Sequence, residues 1–284
     1  MHVNYWNELK KDKFGRKGLY MVAALGIAAV GAGWLAPHDP FAYVAPPLSA
    51  PSLTHPLGTN EVGQDICSEL LYGARTTLLI GTVAALFSTL FSLLIGLTAG
   101  IFRGWVERLL LRLVDVLLVI PVFLLALLVA AYVQPGRLTL IVLFTVLLWP
   151  PGSRIIWSQV ISLRNQGHVA AARHFGAGTV YVAFRHLVPE LYPLLVVNFI
   201  QVVRRAVFME AGMAFIGVFD PAQKSWGIML HYARDFMFTD AWMWWLLPPA
   251  LAISFTIIAF ALIGYALETA LDPRLRRQSY AGNK

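Results

Sequence analysis

The chain alternates long apolar runs with short polar segments. Apolar runs at 19–36, about 76–101, 113–133, 138–158, 190–218 and 243–267 are each long enough to cross a bilayer. Crossing about 30 Å of hydrocarbon takes about 20 apolar residues in a helix. Six spanning helices follow, the second tilted because its 26 residues exceed that thickness. Proline marks where they should deviate. Pro121 inside the third helix predicts a kink, structural or lining a substrate path. The pair Pro150-Pro151 in the fourth predicts a bend or break before Arg154. Gly81, Gly96 and Gly100, with Ser88 and Ser92, give the second helix small residues for close packing. Trp242, Trp244 and Trp245 suit an interfacial aromatic belt.

The polar segments divide by charge. The segment 37–74 is Pro-rich and holds no Lys or Arg. Segments 1–18, 102–112, 159–189 and 268–284 hold 15 of the 22 basic residues, whereas 37–74, 134–137 and 219–241 hold only Arg137, Lys224 and Arg234. The positive-inside rule then places both termini in the cytoplasm. The run 19–36 follows a basic start as a signal peptide would, but no small-x-small cleavage site follows it, so it reads as a retained first helix. The segment 37–74 becomes extracytoplasmic, 75–267 the core with a cytoplasmic loop at 159–189, and 268–284 a cytoplasmic tail.

Composition agrees. The 284 residues are 58% hydrophobic and 13% charged, with a mean hydropathy of +0.66. Soluble domains carry about 25% charged residues. The fold class is all-α and polytopic, and the alternating pattern of a membrane β-barrel is missing. The net charge of +7 reads as cytoplasmic-side bias rather than nucleic-acid binding. The lone Cys67 allows no internal disulfide and no thiol cluster.

The loop between the fourth and fifth helices reads HVAAARHFGAGTVYVAFRHLVP, His168–Pro189. Ala170, Ala171 and Ala172 favour a short helix, which Gly176 and Gly178 then stop. A helix, a second basic segment and Pro189 describe a docking element close to the bilayer. The spacing Ala171-Ala172-x3-Gly176, with Pro189 thirteen residues later, resembles the "EAA" loop of permease subunits of binding-protein-dependent ABC importers. The glutamate usual in that family falls at Ala170.

Further motifs resemble the dipeptide, oligopeptide and nickel branch of these importers. They are His55-Pro56-Leu57-Gly58-Thr59, Leu70-Leu71-Tyr72-Gly73-Ala74-Arg75, the segment Glu210–Gly217, Ser225-Trp226-Gly227 and Leu271-Asp272-Pro273-Arg274-Leu275-Arg276. Gln64 and Glu69 stand where that branch often carries arginine, so charge contacts there should differ. A plainer reading of this stretch is an amphipathic helix capped by Thr59 or Asn60.

The resemblance implies a type I ABC importer permease fold in a prokaryotic plasma or inner membrane. It implies a second homologous permease subunit, two cytoplasmic ATPases carrying ATP-Mg, and an extracytoplasmic binding protein. Ala170, Ala171, Ala172, Phe175, Gly176, His186 and Pro189 would then touch the ATPase. The implied cargo is a di- or oligopeptide, with nickel or a metal chelate as the alternative. This chain has no GxxxxGK[ST] loop, so it is expected to bind no cofactor itself and to leave ATP to its partners.

Arg204, Arg205 and Glu210 lie within the fifth helix. An ionisable group there costs about 2.5–3.5 kcal/mol on insertion scales and normally meets a partner or a wet cavity. Arg204 and Arg205 point about 100° apart, and Glu210 is not well spaced to pair with either. An ion pair with another subunit, the lining of a water-filled path, and snorkelling remain open. These charges also keep open an ion-coupled secondary carrier, although no internal repeat supports one. No catalytic constellation stands out, which disfavours a membrane enzyme. The histidines show no metal-ligand spacing, so no metal site is expected; His38, His55 and His231 would be the outer candidates if the cargo were a metal chelate.

Overall fold

The computed structural model describes residues 12–271. The basic residues Lys10 and Lys11 and the motif from Asp272 to Arg276 lie outside the described residues. The described chain is a bundle of α1 (Lys13–Leu35), α2 (Ile66–Ile101), α3 (Trp105–Val119), α4 (Val122–Tyr132) and α5 (Arg137–Arg164). There follow α6 (Gly167–His174), α7 (Thr179–Val182), a π-helical turn (Ala183–Leu187), α8 (Val188–Phe215), α9 (Trp226–Ala233), α10 (Trp242–Trp245) and α11 (Leu247–Leu271). Five helical stretches are long and apolar enough to span a membrane, and α3 with α4 makes a sixth as a broken span.

Packing fixes the direction of each helix. Gly96 and Gly100 of α2 lie directly against Ser153, Ile156 and Val160 of α5. A Cβ on Gly96 would come within 2.6 Å of Ser153 O, and one on Gly100 within 2.5 Å of Val160 Cγ1. Both indices rise together, so α2 and α5 run parallel. Thr77 meets Glu210 and Thr89 meets Asn198, so α8 runs antiparallel to α2. Gly18 of α1 packs on Ala259 and Ile263 of α11, and Gln201 of α8 meets Glu268. Six crossings result, with Lys13 and Leu271 at one end. That end also holds Gly176; the other holds His55.

The prolines behave differently from their sequence positions. At Pro121 the kink expected in one helix is a break, with α3 and α4 meeting at 83°. Ile120 is extended, as a residue before proline prefers. At Pro150-Pro151 the expected break does not occur: α5 is continuous through both. Two missing N–H groups leave the carbonyls of Val146 and Leu147 without their helical donors. The helix is clamped from outside instead. Ser92 Oγ donates to Trp149 O at 2.8 Å, and the Asn198 side chain presses on Gly152.

Other boundaries move. The second helix begins at Ile66, ten residues before the first of its apolar run. Its cap is Asp65, which accepts from Ser68 N, and not Thr59 or Asn60. An N-cap carboxylate satisfies a free backbone donor and favours the helix dipole. The tryptophans do not all form a belt. Trp245 is fully buried against Phe236, while Trp242 is partly exposed. Two hydrophobic cores hold the bundle: a large one along α2, α5, α8 and α11, and a small one joining α5, α6, the π-turn and α8.

Candidate functional site: two ends of the bundle

At the Gly176 end the loop folds as a compact bracket. Helix α6 closes on a Schellman turn. Ala177 N bonds to Ala172 O and Gly176 N to Arg173 O, both at 3.0 Å. Gly176 takes φ +85°, a left-handed conformation that glycine adopts without steric cost. A Cβ there would meet nothing within 4 Å, so the demand on this position is conformational and not one of space.

Val169 is the buried anchor of α6, packed with Leu163, Val182, Leu187 and Leu191. His168 Nε2 lies 2.8 Å from Glu190 Oε1, tying the start of α6 to the first turn of α8. The His186 ring lies between those of His168 and Tyr181, 5.9 Å from each. Ala170 and Ala172 are half-buried and Ala171 is exposed. Phe175 is 92% exposed, and Val180, Tyr181 and Phe184 are also exposed. Pro189 sits in the first turn of α8, where its missing N–H costs nothing. All seven loop residues singled out from the sequence therefore belong to one bracket, with an apolar tip around Phe175.

At the His55 end the motifs interlock. Trp226 is 2% exposed, and its ring covers Gly73 of α2. Trp226 Nε1 donates to Leu70 O at 2.9 Å, and Trp226 N donates to Thr77 Oγ1 at 3.3 Å. Thr77 in turn donates to Glu210 Oε2 at 3.2 Å. Three segments separated in sequence thus share one buried joint. Glu210 is buried, so it is the centre of this joint rather than a lone membrane charge.

The three charges of α8 are not brought together. Arg204 Nη1 donates to Gln201 Oε1 at 3.1 Å, and Gln201 Nε2 donates to Glu268 Oε1 at 3.1 Å. Arg205 is exposed on the side of the bundle. The expected difference at Gln64 and Glu69 has a definite form. Lys224 Nζ donates to Gln64 Oε1 at 2.7 Å and pairs closely with Glu69.

Lys224, Glu69, Gln64, Glu61 and Tyr232 line a cavity of about 270 Å³ at this end. Glu61 Oε2 has no hydrogen-bond partner among the described residues. Burial pushes the Glu61 carboxyl above its usual range; its backbone hydrogen bond and Lys224 oppose this, and Glu69 adds to it. Burial, reinforced by Glu61 and Glu69, also raises the Tyr232 phenol. Sequence reading passed over Glu61. Its signal was present: an acidic residue in a loop without Lys or Arg, close to a segment that returns with a single lysine.

Of the three outer histidines, His38 and His55 come together, their rings stacked at 4.8 Å. His231 is apart, with Nδ1 3.0 Å from Phe215 O.

A parallel α2–α5 pair, an antiparallel α8, a bracket at one end and a motif joint at the other make a polytopic bundle of membrane-spanning helices. The chain belongs to the family described as binding-protein-dependent transport system inner membrane component, which matches residues 92–277. It is 34% identical over 277 residues to the dipeptide transport system permease protein DppC of Bacillus subtilis (strain 168), covering 96% of this chain and 85% of that one. It is 32% identical to the glutathione transport system permease protein GsiD of Escherichia coli O6:K15:H31, covering 96% and 90%. A putative peptide transport system permease protein of Brucella abortus is 34% identical, with 95% and 91% covered. Among solved structures, an inward-facing form of the MetNI methionine ABC transporter aligns with TM-score 0.56 and 19% identity, over 70% of this chain and 96% of that one. The fold is that of a type I ABC importer permease, and the chain is a multi-pass transport subunit. This membership displaces the ion-coupled carrier.

Proposed function

We propose that the chain is one of two permease subunits of an ATP-driven importer of di- and oligopeptides. The observation that carries this reading is 34% identity to a dipeptide permease across 96% of the chain. The packing of the branch's motifs into one joint at the His55 end supports it. In this reading both termini are cytoplasmic. The His55 end faces a binding protein, which delivers peptide above the cavity beside Lys224. The bracket at Gly176 docks on one of two ATPases, which carry ATP-Mg, and the Phe175 tip fills a groove there. The exposed flank at Arg205 and Phe208 meets the second permease, where Arg205 finds a partner or a wet path.

Two discrete arrangements of the bundle then alternate, each favoured by different contacts with ATPase and substrate. Rigid helices on either side of the bracket carry its displacement toward the motif joint. Loss of the usual glutamate at Ala170 removes one polar contact, while the Schellman turn keeps the bracket's shape.

The test is uptake in a strain lacking peptide import, complemented with this chain, its partner permease, ATPases and binding protein. Labelled dipeptide should enter, and omission of this chain should abolish entry. Uptake of Ni²⁺ with no uptake of any di- or oligopeptide would overturn the peptide assignment in favour of the metal cargo.

A further inference from the structure

We propose that His38, His55 and Asp65 form a binding site for a divalent transition cation of the zinc type, which pins the Pro-rich segment 37–65 to the start of α2. One ligand atom from each residue lies within 4.8 Å of the other two. A tetrahedral site with bonds of about 2.0–2.2 Å needs ligand atoms about 3.4 Å apart. His55 Nδ1 and Asp65 Oδ1 are already 3.2 Å apart.

The carboxylate is held as a metal ligand should be. Asp65 is fully buried, and its Oδ2 accepts from Ser68 N at 2.8 Å and Ser68 Oγ at 2.7 Å. Those bonds fix the group and leave Oδ1 facing the histidines. Such outer hydrogen bonds commonly orient ligands. Ser68 Oγ also accepts from His38 N at 3.1 Å, so the same hydroxyl positions a second member of the trio. His38 Nδ1 is buried and has no partner among the described residues. A buried ring nitrogen without a partner is costly, and a cation would satisfy it.

Two imidazoles and one carboxylate select the cation class. Nitrogen ligands suit Zn²⁺, Ni²⁺ and Cu²⁺, whereas Ca²⁺ and Mg²⁺ prefer all-oxygen sets. Three protein ligands leave a fourth position for water. The three residues follow α1, sit within the loop, and cap α2, so one ion cross-links three pieces of chain. This site stands apart from the cargo question, because neither its ligands nor its test involves transport.

The test uses the full chain in detergent, purified without a polyhistidine tag and stripped with chelator. Zn²⁺ is titrated in competition with a chromophoric chelator, and Tm is followed. The expected result is one equivalent bound and a Tm raised by several degrees, with no response to Mg²⁺ or Ca²⁺. His38→Phe keeps a ring stacked on His55 but removes a ligand, and His55→Gln keeps a donor for Asp65. Each should weaken Zn²⁺ binding at least about tenfold, the scale on which even outer partners of a metal site act. His231→Phe should bind as the wild type does. Wild-type affinity in either folded ligand variant, or no Zn²⁺ response in the wild-type chain, would overturn the site.

Discussion

Glu61 shows how one side chain records its surroundings. Its neutral form is favoured in the folded chain because burial penalises the charge. A carboxyl raised in the folded state costs nothing while it is protonated in both states. The cost appears as pH rises past the unfolded value of about 4.3 and is complete above the folded one. Glu61→Gln should therefore raise Tm at pH 7.5 by about 1–2 °C, a fraction of a kcal/mol for a chain of this size. The gain should shrink toward zero near pH 4; equal Tm values for both proteins across the range would refute the burial argument. Residue-level chemistry was only partly legible. Glu210 was visible as an intramembrane charge, but its partner Thr77 comes from a distant segment, and no spacing rule reaches it. The two arginines diverge as their adjacency requires: Arg204 joins a hydrogen-bond chain through Gln201 to Glu268, and Arg205 is exposed.

Among the elements, the bracket was the most legible. Three alanines and a glycine act locally, and local preferences survive folding when no neighbour contests them. The open space around Gly176 sharpens the mutational expectation. A β-branched residue at φ +85° pays at least the 1–2 kcal/mol of a left-handed conformation, whereas asparagine pays less. Gly176→Val should insert and accumulate normally yet lose most ATP-driven uptake, while Gly176→Asn keeps most of it. Equal uptake for both variants and the wild type, with ATPases still co-purifying, would remove the bracket from coupling. Prolines were less legible because their effect depends on what surrounds them. Pro121 is exposed and its span breaks there; Pro150-Pro151 lies where Ser92 and Asn198 press on the helix, and α5 stays continuous. The α2 cap was missed for a similar reason. Thr59 and Asn60 are good capping residues, but they are occupied in the loop, Thr59 with Ser49 and Pro46 and Asn60 with Val62 and Gln64.

At the scale of the whole molecule, the run of apolar spans was legible, since apolar length is a global property: five helical stretches are long enough to cross, and the bent α3–α4 pair completes six. Parallel α2 and α5 with antiparallel α8 place Ser52 and Gln166, both exposed, at opposite ends. In a Cys67→Ser background, a cysteine at Ser52 should react with an impermeant maleimide in intact cells. A cysteine at Gln166 should react only after the membrane is opened. Labelling of both from outside would reject the proposed orientation. What the apolar pattern could not carry is the rotation of one helix relative to another, and here the π-helical turn at Ala183–Leu187 matters. A π-turn holds one residue more than an α-turn, about 100° of winding. That extra residue works as a phase shim. It sets the angle at which the bracket hangs from α8, and so the side of the bundle on which Arg205 emerges while Val169 still reaches Leu187 and Leu191. Taking one residue out of the turn would leave every helix intact and yet swing the bracket about the axis of α8.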